Sequence, residues 1–410
     1  MKRNCFLAQI ILALSIISCT KDNTHVTDKE YKALDLSEEA KSLVQGNKSF
    51  ANKLLLGTLL KYGESSFMVS PLSCTINLSM LLESIDEDEE NVYKLYEMIG
   101  FDGAEHETIR DFCHTMMFDL PQLSNTTTFS MSNLIIADSG KGPVRAGYQD
   151  IAEKYYSAIV SSQPFVHPGE IVKFVNDWAG KSTLGLINSI IDEFDVKKSD
   201  AFLANAVYFK GLWSYAFDVD NTARQVFNLE NGGTASVMMM HNSSPQFARC
   251  TQKTAYSRVS IPYGNKAFSM NIYLPNQGYG VKDVAKFLAN GDDEKGVTVN
   301  VSSLKIPKFS VKSKYDLLPV LDDLCAEALS GSSFMIRDAQ ASRIGSIKHP
   351  TSIIVDESGT EAAAISLTDM YSSSGPGLSS IEFCADRPFI FSISESFTGI
   401  VVFMGVYYGD

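Results

Sequence analysis

Apolar residues in the first half of the chain recur at helical spacing. From Leu36 onward, Ala40, Leu43, Val44, Leu54, Leu55, Leu59 and Leu60 fall three and four apart, the stripe of an amphipathic helix. Ser70-Pro71-Leu72-Ser73 then supplies an N-cap and a proline suited to the first helical position, ahead of the apolar run Ile76 to Leu82. Further helices are predicted over Asn91 to Ile99, His106 to Phe118, Tyr148 to Tyr156 and Ile171 to Thr183. After Asp200 the pattern changes to short runs rich in Val, Ile, Phe and Tyr and bounded by Gly, Pro and Asn. These runs predict strands over Ala201 to Phe209, Ser257 to Pro262, Ala267 to Leu274, Val297 to Val301, Ser352 to Val355 and Ile400 to Val406. Helices first and strands later, without regular alternation, predict an α+β domain rather than a doubly wound sheet. There is no internal repeat, and only Ser372 to Ser380 is of low complexity.

The N-terminus departs from this pattern. Lys2 and Arg3 precede an almost wholly apolar stretch, Phe6 to Ile17, that is too short to span a bilayer comfortably and has the form of a targeting segment. It ends in Ile16-Ile17-Ser18-Cys19, which resembles a bacterial lipobox, so residues 1–18 are expected to be removed and Cys19 to carry lipid. The alternative is an ordinary secretory peptide cut nearby, with Cys19 a spare thiol. Thr20 follows the cysteine where an inner-membrane retention aspartate would stand, and this favours an outer-membrane or cell-surface lipoprotein facing periplasm or exterior. Residues 19–36 are polar and charged, as a tether would be, and residues 37–410 then form a single domain.

Composition narrows the function. The 410 residues are 45% apolar and 20% charged, with a formal net charge of −13, and no run of Lys or Arg offers a nucleic-acid footprint. Cys74, Cys113, Cys250, Cys325 and Cys384 are widely and irregularly spaced, with no zinc-ligand pattern, and are read as buried free thiols. No cofactor or metal is expected. Enzyme signatures are incomplete. There is no G-x-S-x-G elbow, and Ser302-Ser303-Leu304-Lys305 lacks the partners of an S-x-x-K site. His106-Glu107 is not followed by the second histidine of H-E-x-x-H.

Several distant segments share one resemblance. Asn205-Ala206-Val207-Tyr208-Phe209-Lys210-Gly211-Leu212-Trp213, followed by Phe217, Thr222, Phe227 and Met238-Met239, resembles the central signature of the serpins. So do Ser70-Pro71-Leu72-Ser73, Phe174-Val175-Asn176-Asp177-Trp178 with Thr183 and Ile187, Ile306-Pro307-Lys308-Phe309 with Tyr315-Asp316-Leu317, and Arg387-Pro388-Phe389 leading to Phe403-Met404-Gly405. The resemblance runs from about Leu36 to the C-terminus. It implies a serpin fold, three β-sheets surrounded by eight or nine helices, with an exposed reactive-centre loop at about 357–380. It further implies a suicide-substrate inhibitor that partners a target protease. The protease cleaves the loop and is trapped as a covalent acyl complex while the loop inserts into the main sheet. A monomer is expected, touching membrane only through a lipid anchor on Cys19.

The loop's own residues can be read against that demand. Thr360, Ala362, Ala364, Ser366, Thr368 and Ser372 share one parity, with Met370 the only large member, while Glu361, Ile365, Leu367, Asp369 and Tyr371 share the other. Neither Gly nor Pro interrupts Thr360 to Ser374, as a central strand requires. At about 1 kcal/mol net per hydrogen bond, such a strand releases on the order of 10 kcal/mol. Glu357, Gly359, Thr360, Glu361, Ala362, Ala363 and Ala364 form the hinge in this resemblance. The scissile bond is left open. Counting forward from Glu357 gives Ser373-Ser374, counting back from Pro388 gives Gly377, and Met370 or Tyr371 would suit a chymotrypsin- or subtilisin-like protease. A cut after Ser373 suits an elastase-like pocket, papain-like cysteine proteases remain open, and the lack of Lys or Arg between Glu361 and Ser380 disfavours a trypsin-like one.

The resemblance also implies switch residues. Lys308, Glu357 and Trp213 belong at the upper opening of the main sheet, the breach. His349 belongs at the shutter, bonded to Ser70, Ser73 or Asn205. The rival reading is a non-inhibitory serpin acting as a surface binding or carrier protein. Such members tend to carry bulky, charged or proline residues in the hinge, where this chain has Thr360 and three alanines.

Overall fold

The computed structural model describes residues 28–63, 65–85, 90–243, 248–292, 294–338, 341–360 and 380–410. The leucine stripe forms α1 (Glu38–Tyr62), capped by the Ser37 hydroxyl, which accepts from Ala40 N–H at 3.1 Å. Leu60 leaves the stripe and is 61% exposed. Then follow β1 (Phe67–Val69), α2 (Pro71–Leu82), α3 (Glu90–Ile99), α4 (His106–Phe118), β2 (Thr127–Asp138), α5 (Ala146–Tyr156), β3 (Ala158–Gln163), α6 (Pro168–Ser182), α7 (Glu193–Lys198) and β4 (Ala201–Leu212). The second half contains β5 (Ala223–Asn228), β6 (Thr234–Asn242), β7 (Arg249–Gln252), β8 (Tyr256–Tyr263), β9 (Phe268–Pro275), α8 (Val281–Ala289), β10 (Val297–Pro307) and β11 (Phe309–Asp316). The chain continues with α9 (Leu318–Leu324), α10 (Ala328–Gly331), β12 (Lys348–Val355), β13 (Gly359–Thr360), β14 (Ser380–Cys384), β15 (Phe389–Glu395) and β16 (Val401–Tyr407).

The expected separation of helices from strands is only partial. β1, β2 and β3 lie in the first half, and α8, α9 and α10 in the second. The described residues contain ten α-helices, against the eight or nine expected, because α7 and α10 are short turns of six and four residues. Among the described residues, hydrogen bonding gives two sheets. One has six strands in the order β11-β12-β13-β4-β2-β3. The other has ten strands, because β10 pairs β7 through residues 297–300 and β6 through residues 304–307 and so joins two of the three expected sheets edge to edge.

The core lies between these sheets. Phe209 of β4 meets Tyr263 and Phe268 of the larger sheet edge to face at 5.2 and 5.5 Å. On the other face of the six-stranded sheet, α6 lays Ile171, Val175, Trp178 and Ala179 over Leu134, Ile136, Ala204 and Ala206. Asn176 fixes the return from α6, its side-chain oxygen accepting from Ile190 N–H at 2.7 Å. Residues 28–36, expected within a solvated tether, are instead packed on the body, with Leu34 and Leu36 buried. Cys74, Cys113, Cys250 and Cys325 are buried free thiols, and Cys384 is half-buried. No helix among the described residues is long and apolar enough to cross a membrane.

Candidate functional site

The six-stranded sheet has an unusual joint. β13 is only two residues long, yet it pairs antiparallel with β12 on one side, Thr360 opposite Val355, and with β4 on the other, Gly359 opposite Leu212 and Thr360 opposite Gly211. Among the described residues no ladder joins β12 to β4 below it. A cavity of about 500 Å³ opens there, between residues 201–205 of β4 and residues 342–349 leading into β12, floored by Ser73, Cys74 and Leu78 of α2. The two flanking strands run parallel, since β13 is antiparallel to both. Their spacing at the top is therefore already that of a central strand.

A tight turn delivers β13 to this place. Asp356 N–H donates to the Gly359 carbonyl at 2.9 Å, and its carboxylate accepts from Ser358 N–H at 2.9 Å. Gly359 has φ +154, and a Cβ there would lie 2.0 Å from the Gly211 carbonyl oxygen. No other residue allows β13 to approach β4 so closely. Trp213, just after β4, locks the turn: its indole N–H donates to the Asp356 carbonyl and its backbone N–H to the Ser358 carbonyl, each at 2.9 Å. The indole stacks on Tyr263 with centroids 4.4 Å apart. Thr360 is 1% exposed, and its hydroxyl lies 2.6 Å from that of Tyr263.

Lys308 Nζ reaches Glu357 Oε2 at 2.7 Å, with the carboxylate side chain 7% exposed and the lysine 39%. Burial disfavours the Glu357 charge. The Lys308 ammonium, together with hydrogen bonding from the local backbone and Thr222, outweighs that and holds the carboxyl below its ordinary range. Phe217 N–H also donates to the Glu357 carbonyl at 2.8 Å. Lys308, Glu357 and Trp213 are thus brought together around the turn.

Ser70, Ser73, Asn205 and His349 also converge, beside the lower cavity, with wiring that their identities alone did not specify. His349 Nε2 accepts from the backbone N–H of Ser70 at 2.9 Å. A backbone N–H can only donate, so the neutral ring carries its proton on Nδ1, which faces Cys74 Sγ at 3.8 Å. Burial pulls the His349 pKa down to about 4. The Ser70 hydroxyl caps α2 and donates to the Val402 carbonyl at 2.7 Å. Ser73 and Asn205 form a separate chain: Ser73 Oγ donates to Asn205 Oδ1 at 2.5 Å, Asn205 Nδ2 to Asn133 Oδ1 at 2.6 Å, and Asn133 Nδ2 to the Tyr156 carbonyl at 2.6 Å. Neither is bonded to His349 in the described network.

Sequence reasoning missed Tyr263, Cys74 and Asn133. Asn133 had a signal, a lone amide in the run Met131 to Ile136. Glu361, Ala362, Ala363, Ala364, Met370, Tyr371, Ser373, Ser374, Gly377 and Cys19 lie outside the described residues.

This architecture is shared with known proteins. Residues 45–409 match the family described as Serpin (serine protease inhibitor). Serpin-Z10 of Arabidopsis thaliana is 32% identical over 281 residues, 64% of this chain and 72% of that one. An uncharacterized serpin-like protein, R700, of Acanthamoeba polyphaga mimivirus is 25% identical over 96% of this chain and 93% of its own. Among solved structures, the thermophilic serpin Tengpin in its native state superimposes with a TM-score of 0.77 at 20% identity, covering 93% of this chain and 97% of that one. An Arabidopsis serpin in a native stressed conformation gives 0.74 at 23% identity, over 92% and 99%. The chain has the serpin fold and belongs to the serpin family.

Proposed function

We propose that this chain is an inhibitory serpin that traps its target protease by inserting its cleaved loop between β12 and β4. The observation that carries this reading is β13, whose Gly359 and Thr360 already occupy the top of the position a new central strand would fill. The cavity below it continues the same line. After Thr360, one parity is small apart from Met370, and neither Gly nor Pro occurs as far as Ser374, which suits a strand buried on one face. The protein is an inhibitor rather than an enzyme in this reading: the protease supplies the nucleophile, and the loop supplies the carbonyl it attacks.

The cleaved bond is assigned to Ser373-Ser374, with Met370, Tyr371 and Gly377 as neighbouring sites, and the targets to elastase-, chymotrypsin- or subtilisin-like serine proteases or papain-like cysteine proteases. Residues 1–18 act as a lipoprotein-type signal, and lipid on Cys19 holds a monomeric domain at an outer membrane or cell surface. Incubation with one protease of each class is expected to yield an SDS-resistant complex, and mass spectrometry of the released C-terminal fragment gives the bond. Thr360→Arg puts a long charged side chain where Thr360 is 1% exposed, and is expected to convert inhibition into simple cleavage. Undiminished complex formation by that variant sinks the insertion mechanism. A non-inhibitory member would instead be cleaved with little gain in melting temperature.

A further inference from the structure

The segment before α1 is bound at three places. One carboxylate oxygen of Asp28 accepts from the backbone N–H groups of Asn125 at 2.7 Å and Lys29 at 2.9 Å. The other accepts from the Ser124 hydroxyl at 2.8 Å, from Asn265 N–H at 3.0 Å and from the Thr126 hydroxyl. Asn265 answers with its own amide, which donates to the carbonyls of Leu123 at 2.7 Å and Lys29 at 3.2 Å. Farther along, the Tyr31 hydroxyl donates to the buried Glu395 at 2.6 Å, and Leu34 and Leu36 enter the core.

The places so joined belong to different bodies of the fold. Ser124 to Thr126 lead directly into β2, whose Thr127 lies opposite Gly211 of β4. Asn265 lies in the turn between β8 and β9 of the ten-stranded sheet. That turn follows Tyr263, which stacks on Trp213 and meets Thr360. Gly264, at φ +44, sits inside the clasp: a Cβ there would lie 2.0 Å from Thr126 Oγ1 and 2.7 Å from Asp28 Oδ2.

We propose that residues 28–36 are a strap that ties the upper end of the β4-β2-β3 block to the ten-stranded sheet and so opposes separation of β4 from β12. Those two strands are joined only through β13 among the described residues, so widening the joint requires one block to move. The start of β2 cannot leave the β8–β9 turn without breaking the bonds that Asp28 makes to both. Hydrogen bonds to an ionised carboxylate are roughly twice as strong as neutral ones, which suits a clasp whose four partners beyond the segment, Ser124, Asn125, Thr126 and Asn265, lie on both sides of the joint. The segment that leads in from the tether therefore sets how readily the main sheet opens.

Hydrogen exchange on the full chain tests this, with Asp28→Ala beside wild type. Amides of residues 211–213 and 353–360 are expected to exchange about tenfold faster in the variant, while α8, remote from the clasp, keeps its protection. Asp28→Asn retains one accepting oxygen and should fall between. Unchanged exchange, uniform acceleration throughout the chain, or failure of both variants to fold overturns the strap, since each makes Asp28 either idle or merely structural. A second arm follows loss of protease-trapping capacity on incubation without protease, expected to be several-fold faster in Asp28→Ala. This arm alone rests on the inhibitory reading. If wild type traps nothing, that reading fails while the exchange result still decides the strap.

Discussion

The hydroxyls of Tyr263 and Thr360 meet at 2.6 Å inside the core, joining the first residue of the proposed inserting strand to the ten-stranded sheet. Neither group has access to water, so removing one leaves the other unsatisfied. Tyr263→Phe and Thr360→Val should each lower stability by about 1 to 2 kcal/mol, and the double variant by less than their sum. Urea unfolding midpoints for the four proteins check this; additive losses would mean that the contact carries no coupling.

Gly359→Ala should dislodge β13, because the added methyl meets the Gly211 carbonyl, a backbone atom that cannot yield without breaking the β4 ladder. A cost of about 2 kcal/mol is expected for the strained turn. The chain has two tryptophans, Trp178 and Trp213, so a Trp178→Phe background leaves Trp213 as the reporter. Its emission should shift to the red as the stacked indole loses the turn beneath it. An unshifted spectrum would show that the turn tolerates a Cβ.

Lys308→Met keeps the aliphatic stem and removes the ammonium that faces Glu357. The carboxylate is buried and the lysine partly exposed, so solvent screens the pair and a loss of about 1 kcal/mol is expected at pH 7. The Glu357 carboxyl is held below its ordinary range, so this stability is present above the ordinary carboxylate pKa and is lost as pH falls through the folded value. The wild-type and variant curves should therefore converge in acid. Parallel curves from pH 7 to pH 3 would remove Lys308 as the cause.

His349 titrates with the opposite consequence for its own charge. Its folded pKa of about 4 lies below the ordinary 6.5, so above 6.5 both folded and unfolded states hold it neutral and its contribution is complete. Between 6.5 and 4 the unfolded chain takes up a proton that the folded one refuses, and stability falls by about 3 kcal/mol. The cause is burial, which disfavours the charged ring, and a proton on Nε2 would also face the Ser70 N–H head on. His349→Gln should flatten this part of the stability–pH curve, and an equally steep curve in the variant would assign the slope to other groups.

Amphipathic spacing made α1 legible, and the Ser70 cap with Pro71 and the apolar run Ile76 to Leu82 made α2 legible although it is buried almost all round. β2 was overlooked although its first part carries a strand signal, Phe129 and Met131 alternating with Thr128, Ser130 and Ser132. Its apolar end, Leu134 to Ala137, is buried on both faces, Leu134 and Ile136 against α6 and Ile135 and Ala137 in the main core, so no period remains there. α8 did carry a readable pattern, Val281, Val284, Ala285 and Leu288, at helical spacing. At the site, Lys308, Glu357 and Trp213 were legible only through resemblance, because Lys308 and Glu357 meet across 49 residues of sequence and Trp213 reaches Asp356 across 143. Tyr263 has no local mark at all: it acts through segments that the fold alone makes neighbours. Asp28 was misread for a plainer reason. Polar composition describes a solvated tether and a hydrogen-bonded clasp equally well.

The two residues of β13 also bear on rate. Forming a new strand inside a sheet has a slow first step, in which a long loop must be brought to register before any ladder bond rewards it. Here that register is set beforehand, with Thr360 opposite both Gly211 and Val355. Growth can proceed by propagation, one residue at a time, as a seeded polymer extends without a lag. On the proposed mechanism, trapping competes with release of the protease by hydrolysis, and a seed already in place shortens the step on the trapping side.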